Sequence, residues 1–263
     1  DIEVEVAIAY GLSLEQFERL LLAFPKVSAA ERETLLTHPG WKSAMNHAKP
    51  ATSVRIANHV APALSAIDLR MVRSIPPGGN WKDIPSSIPS KRLAGIRKSY
   101  AAGEGSRSTY YGRLRADAPA YTISTYFPRP GNGCHIHYDF AGGQHRTISY
   151  REAARLQSFP DDFVFSGTKT SICKQIGNAV PPLLAYQLAL HLGTLGVFLD
   201  LFSGAGGLAL GFKWAGWKPI LANDMEPSFL ETYRKNVHEA TLCGDVTNDA
   251  VLDSIVNEVR RQR

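Results

Sequence analysis

Apolar positions along the chain fall into three regimes. In the first, Leu14, Phe17, Leu20, Leu21 and Phe24 recur at helical intervals behind Ser13 and Gln16, a capping-box pair, until Pro25 interrupts them. Ser28 and Glu31 repeat the start signal, so two short helices are expected before residue 40. From Lys42 to Gly143 the period fades, and proline, glycine, serine and basic residues dominate, as in residues 75–92 (IPPGGNWKDIPSSIPSKR) and 127–133 (FPRPGNG). That stretch reads as loops and short strands, with residues 119–127 (PAYTISTYF) the one credible strand.

Order returns at Ser149 and Glu152, a further capping-box pair that opens a helix of about two turns before Pro160. Pro181 and Pro182 lead the next helix (LLAYQLALHLG), which Gly193 closes. Beyond it the grammar alternates. Residues 197–202 (VFLDLF) form a buried-type strand, SGAGG a glycine turn and LALGFKWAG a helix; residues 218–225 (KPILANDM) form a second strand, PSFLETYRKNV a helix and residues 241–246 (TLCGDV) a third strand. Strands alternating with helices specify a parallel α/β sheet, so the expected class is α/β.

Composition narrows this picture. A chain of 263 residues with 44% hydrophobic content supports a core and excludes a disordered or fibrous protein. No apolar run approaches the roughly 20 residues that a membrane span requires. The opening DIEVEVAIAY lacks the basic stretch and cleavage site of a leader, so a cytoplasmic protein with no membrane attachment is expected. Cys134, Cys173 and Cys243 form no C-x-x-C pair, which argues against a disulfide framework or a cysteine-rich zinc site. The net charge of +5 is unevenly spread: residues 41–130 hold 14 Lys and Arg against 4 Asp and Glu. Such clustering is the footprint of a surface that neutralises phosphates, although a solvated basic face has the same composition.

Gly204, Gly206 and Ala209 satisfy G-x-G-x-x-G/A spacing, and Asp224 lies 20 residues after Gly204 at the end of the second strand. Glycines there let the backbone turn tightly under a ligand and expose amides at a helix start, while the acid can accept two ribose hydroxyls. A nucleotide-like cofactor fits this arrangement.

Here the residues become specific. FLDLFSGAGGLALGF resembles the first motif of the DNA cytosine-5 methyltransferases, and ANDMEP and CGDV resemble their second and third. The resemblance implies S-adenosyl-L-methionine as cofactor, with Phe202 packed on the adenine, Asp224 on the ribose and Asp245 on the adenine amino group. Ser203, Gly204, Gly206, Gly207 and Val246 complete that set. Met225 stands where the family often has an aromatic, and can still pack on adenine. RTISYREAARLQSFPDDF is similar to the ninth motif, a scaffold for the recognition domain in which Arg151 and Arg155 would be structural. KQIGNAVPP is similar to the tenth, with Asn178 and Val180 as cofactor contacts beside Gly177. The implied organisation is a target-recognition region over 1–145, a bridging segment over 146–195 and the first half of a Rossmann-like cofactor domain over 196–263.

Two departures from the family pattern shape the functional expectation. The recognition region and the ninth and tenth motifs precede the first three, which is a circular permutation. It is physically cheap, because the tenth-motif helix packs beside the first-motif strand and a short link joins neighbours. The fourth to eighth motifs do not follow the third. Cytosine C5 methylation requires a thiolate at C6 and an acid at N3, which the family supplies from Pro-Cys and Glu-Asn-Val. Neither string occurs here; Cys134, Cys173 and Cys243 follow Gly133, Ile172 and Leu242. Of these, Cys173 alone is close enough to the tenth motif to test as a surrogate. The expectation is a heteromeric enzyme in which a second subunit supplies the nucleophile, the acid and a strand for the open edge of residues 197–202. The rival expectations are an inactive or truncated module that binds DNA and cofactor, and a nicotinamide-dependent dehydrogenase.

Double-stranded DNA is the implied substrate, with its cytosine extruded before attack. Arg92, Arg97, Lys98, Arg107, Arg113 and Arg115 are the candidate contacts to phosphates or guanine edges. His135 and His137 lie two apart but lack further ligands at metal-binding spacing, so no metal is expected.

Overall fold

A computed structural model of the chain describes residues 56–104, 109–193 and 195–261. The helices expected at Ser13 and Ser28, and Arg107, lie outside the described residues. None of the described helices is long and apolar enough to cross a membrane.

The basic stretch contains two helices that the fading period did not announce. α1 (Ala66–Arg73) is started by Ser65, whose side chain accepts from the Asp68 amide at 3.1 Å, and α2 (Lys91–Ala101) by Ser90, which accepts from the Leu93 amide at 3.3 Å. Each buries only a narrow stripe, Met71 and Val72 in α1 and Leu93 and Ile96 in α2, so the sequence around them stays polar. These residues join Ile75, Trp81, Ile84, Tyr111 and Ile136 in one apolar cluster. Across it run β1 (Gly112–Arg113) and β2 (Cys134–Ile136), which pair in parallel.

Residues 119–127 are not a strand. Ile123 and Phe127 are buried, but the chain turns between them, with the Phe127 amide donating to Ser124 O at 3.1 Å and the Arg129 amide to Tyr126 O at 2.9 Å. Pro119 and Pro128 bracket the segment, and neither has an N–H to offer a ladder.

Arg113, expected at the DNA, is instead inside the protein, with 1% of its surface exposed. Its Nε donates to Ile75 O at 2.7 Å, Nη1 to His137 O at 2.5 Å and Nη2 to Val72 O at 2.8 Å. One guanidinium thus ties the end of α1 to the segment after β2. Burial lowers its pKa to about 10, against the opposing pull of Asp139, and it stays charged at neutral pH. Its donors face carbonyls, which leaves none for a phosphate.

α3 (Tyr150–Leu156) opens on the expected capping box: Ser149 Oγ accepts from the Glu152 amide, and the Glu152 carboxylate accepts from the Ser149 amide at 2.7 Å. Burial pushes the Glu152 carboxyl up, but the paired Arg146 guanidinium and the Ser149 amide outweigh it and hold the pKa at about 2. Arg151 is fully buried and donates to Ala57 O, Pro160 O and Phe163 O at 3.0, 2.7 and 2.7 Å, a structural role. α4 (Lys169–Gly177), capped by Thr168, and α5 (Pro182–His191) follow.

The carboxyl-terminal third alternates as its pattern predicts: β3 (Val197–Leu201), α6 (Gly207–Trp214), β4 (Lys218–Asp224), α7 (Pro227–Asn236), β5 (Thr241–Cys243) and α8 (Asp249–Arg261). The three strands are parallel in the order β3-β4-β5, so β3 is paired on one side only among the described residues. A second core, containing Phe127, Tyr150, Phe159, Phe163, Ile176, Ala209, Ala222 and Tyr233, unites this sheet with α3, α4 and the turn before β2.

The Arg113 clamp yields a stability prediction. Replacing Arg113 with Lys keeps the charge but cannot serve all three carbonyls, and should lower unfolding free energy by about 2–4 kcal/mol. Urea titration followed by circular dichroism checks this; a loss below about 0.5 kcal/mol would show that the carbonyls find other donors.

Candidate functional site

The site is built where β3 ends. Phe202 adopts a left-handed backbone, φ 56°, and Gly204 and Gly206 follow at 55° and 96°, so the chain coils back on itself before α6 begins. Gly204 has open space where a Cβ would stand, and its amide donates to Asp224 Oδ2 at 2.8 Å. The other Asp224 oxygen accepts from the Glu226 amide at 2.9 Å. This carboxylate therefore ties the glycine turn to the end of β4, and each oxygen retains acceptor capacity beyond the one bond it makes.

Two further glycines set the opposite wall. A Cβ on Gly207 would overlap Val180 O, and one on Gly211 would overlap Pro182 O and come within 2.5 Å of the Ala185 Cβ. Four residues apart, they lie on one face of α6, and α5 with its preceding turn settles into that face. The contact carries Asn178 and Val180 up to the glycine turn.

Between these walls lies a cavity of about 230 Å³. Phe202, Ser203, Gly204, Gly207, Asp224, Asn178 and Val180 line it, as expected from sequence. Gly206 lies beneath, its α-carbon against Tyr233 and Val237. Met225, Asp245 and Val246 are outside the lining. The Asp245 carboxylate accepts from the Thr247 amide and hydroxyl, and Val246 lines a separate apolar groove of about 310 Å³ with Leu199, Leu201, Leu252 and Val256. The Phe202 ring is 73% exposed at the mouth.

Sequence reasoning missed Asp200 and Gln175. Both line the cavity, and Asp200 Oδ2, Gln175 Oε1 and Ser203 Oγ are buried with no hydrogen-bond partner. Unpaired buried polar atoms are costly unless a ligand or water completes them. A small ligand carrying hydroxyl or ammonium donors suits this lining. The available signal for Asp200 was its position as the lone charge in an apolar strand. Burial raises its pKa to about 7, with Asp224 adding to the shift.

The thiols stand elsewhere. Cys134 and Cys173 are buried, and burial raises each to about 11, far from a reactive thiolate. Cys243 is exposed at the end of β5, its Sγ 3.5 Å from Met225 O. None lines the cavity.

The expected DNA contacts are dispersed in role. Arg92 donates to Gly131 O and Asn132 Oδ1, Arg97 donates to Ile84 O at 2.6 Å, and exposed Arg115 pairs with Asp117 at 2.7 Å. Lys98 is exposed on α2.

Comparison with known proteins places this arrangement among its relatives. A family model described as C-5 cytosine-specific DNA methylase matches residues 51–194 and 197–257. The chain is 33% identical over 166 residues to the type II methyltransferase M1.HphI of Haemophilus parahaemolyticus, covering 63% of this chain and 33% of that protein. It is 41% identical over 120 residues to the type II methyltransferase M.NgoFVII of Neisseria gonorrhoeae, covering 46% and 28%. To DNA (cytosine-5)-methyltransferase 2 of Arabidopsis thaliana it is 34% identical over 145 residues, covering 51% and 9%. The matched region thus spans a third or less of each of these curated relatives.

The unpaired carboxyl of Asp200 makes stability depend on pH. Its folded pKa of about 7 lies above the unfolded value, so the penalty of ionising it is absent below about pH 4 and grows as pH rises to about 7. Asp200→Asn should therefore gain in melting temperature over the parent as pH is raised across that range, worth about 2–4 kcal/mol at the top. Differential scanning calorimetry at several pH values reads it; a gap that does not widen would refute the assignment.

Proposed function

The chain belongs to the C-5 cytosine-specific DNA methylase family, and we propose that it is the cofactor-binding and target-recognising subunit of a DNA cytosine-5 methyltransferase of permuted order, whose nucleophilic cysteine and catalytic acid come from a second subunit. The observation that carries this reading is a formed cofactor cavity from which every thiol of the chain stands apart.

Members of the family use S-adenosyl-L-methionine, which when bound supplies the methyl group as an electrophile. The residues present suit it. Asp224 keeps lone pairs for two ribose hydroxyls, and the open side of Gly204 admits close approach of the cofactor to backbone. Phe202, exposed at the mouth, would hold the adenine, and Met225, Asp245 and Val246, which lie outside the cavity lining, are the further adenine contacts that the resemblance implies. Asn178 and Val180 hold the methionine end, where Asp200, Gln175 and Ser203 offer their unpaired atoms.

The second subunit is supported by the sheet. Among the described residues β3 has a neighbour only in β4, and Val197 and Leu201 on it are exposed. An incoming strand would complete its hydrogen bonds, while the apolar groove against α8 accepts side chains from below. The permuted order is supported by the packing of α5 on α6, which leaves only a short link between the tenth-motif helix and β3. Duplex DNA is the substrate, within a restriction–modification setting of the kind named for the type II relatives. The region over 1–145 recognises the target, 146–195 bridges it to the cofactor domain, and the cytosine is drawn from the stack before the thiolate adds.

The test separates binding from chemistry. Calorimetry should detect S-adenosyl-L-methionine binding by the chain alone, weakened about tenfold or more by Asp224→Ala. Tritium transfer to DNA should require a co-expressed polypeptide carrying Pro-Cys and Glu-Asn-Val. Robust transfer by the chain alone would overturn the divided site, and cofactor binding without transfer in the mixture would identify an inactive module instead.

A further inference from the structure

Between residues 92 and 155 almost every described arginine is occupied, whereas Arg70 and Arg73 on α1 stay exposed. Arg113 and Arg151 serve buried carbonyls, Arg92 and Arg97 serve loop carbonyls, and Arg115, Arg146 and Arg155 are paired with carboxylates. Arg129 is different. It is exposed, and its guanidinium lies over the ring of Tyr126, 5.5 Å from the centroid, with no hydrogen bond or ion pair to any described residue.

The local chain explains why the two side chains meet. The Arg129 amide donates to Tyr126 O at 2.9 Å, closing a turn that brings positions three apart to the same side. Between them Phe127 is fully buried and packs edge-on to Tyr150 at 5.8 Å, so the turn is anchored in the larger core. Pro128 and Pro130 flank Arg129 and restrict its backbone, and the Asn132 amide donates to Arg129 O at 3.0 Å. Tyr126 is 55% exposed despite this rigid footing. The result is a stiff tip presenting a planar cation on an aromatic plate, beside a cavity of about 430 Å³ that Arg92 and Asn132 also line.

We propose that Arg129, held over the ring of Tyr126, is a specificity-determining residue that reads a guanine edge in the major groove of the DNA target. This rests on the reading of the chain as a target-recognising subunit. Guanine O6 and N7 accept two parallel N–H bonds from a guanidinium, and a side chain already oriented by stacking loses little freedom in making them. A flexible, fully solvated arginine would suit a phosphate as well; the anchored stack favours the base. Asp68, which also lines the cavity, makes this side of the tip less attractive to a phosphate than a purely basic surface.

The experiment uses the full chain and a pool of duplexes randomised at central positions, selected by binding and sequenced. The parent should enrich a motif containing a fixed G·C pair. Arg129→Lys, which keeps the charge, and Tyr126→Ala should each lose preference at that one pair by about tenfold to a hundredfold while the other positions hold. A variant that binds every duplex more weakly with an unchanged motif would make Arg129 a backbone contact and overturn the proposal, as would an unchanged motif with unchanged affinity. If the parent binds no duplex, the recognition reading fails, and this inference with it. Melting curves of the variants within about 2 °C of the parent verify that the tip is intact.

Discussion

The candidate site depends on two missing side chains. At Gly207 and Gly211 the backbone of α6 comes so near to Val180, Pro182 and Ala185 that any larger residue would part them. This approach, rather than a hydrogen bond or a charge, brings the Asn178 turn and the Phe202 turn to opposite sides of one cavity. The two segments belong to different parts of the chain and share no strand. Remove the contact and each is an ordinary loop. The approach also accounts for the unpaired atoms between the walls, because two surfaces this close bury Asp200, Gln175 and Ser203 without supplying partners for all of them.

Charge is distributed by the same logic of position over composition. The basic surplus of residues 41–130 reads as the footprint of a nucleic-acid surface, yet several of its arginines are structural fasteners. Arg113 spends its donors on three carbonyls inside the protein, and Arg92 and Arg97 hold loops. A chain poor in regular structure has many carbonyls without helical or ladder partners, and guanidinium groups with several donors satisfy them economically. Counting charges therefore overstated how many face outward and gave no indication of which ones do.

What was legible followed from periodicity and caps. The alternating strands and helices from Val197 onward, and the Ser149 capping box, were visible because their signals are local. α1 and α2 were not, since each buries two residues per helix and the remaining positions are polar or basic. The strand expected over residues 119–127 had the right residue types, but its flanking prolines and the turn at Ser124 prevailed. At the site, the glycine turn, Asp224 and the Asn178 segment were readable from their strings. Asp200 was hidden because its importance lies in what surrounds it, namely burial and a neighbouring carboxylate, which only the fold provides.

Gly177 joins the two ends of this account. It closes α4, one residue before Asn178, and a Cβ there would press into the backbone of Ser124 and Thr125, 2.7 Å from the Ser124 carbonyl carbon. Those residues lead directly into the Tyr126–Arg129 tip. Cavity wall and Tyr126–Arg129 tip are thus mounted on one another, main chain on main chain, with no side chain between them to act as a cushion. Such a joint transmits displacement instead of absorbing it: the chain has a rigid strut where a hinge would have let each half work alone.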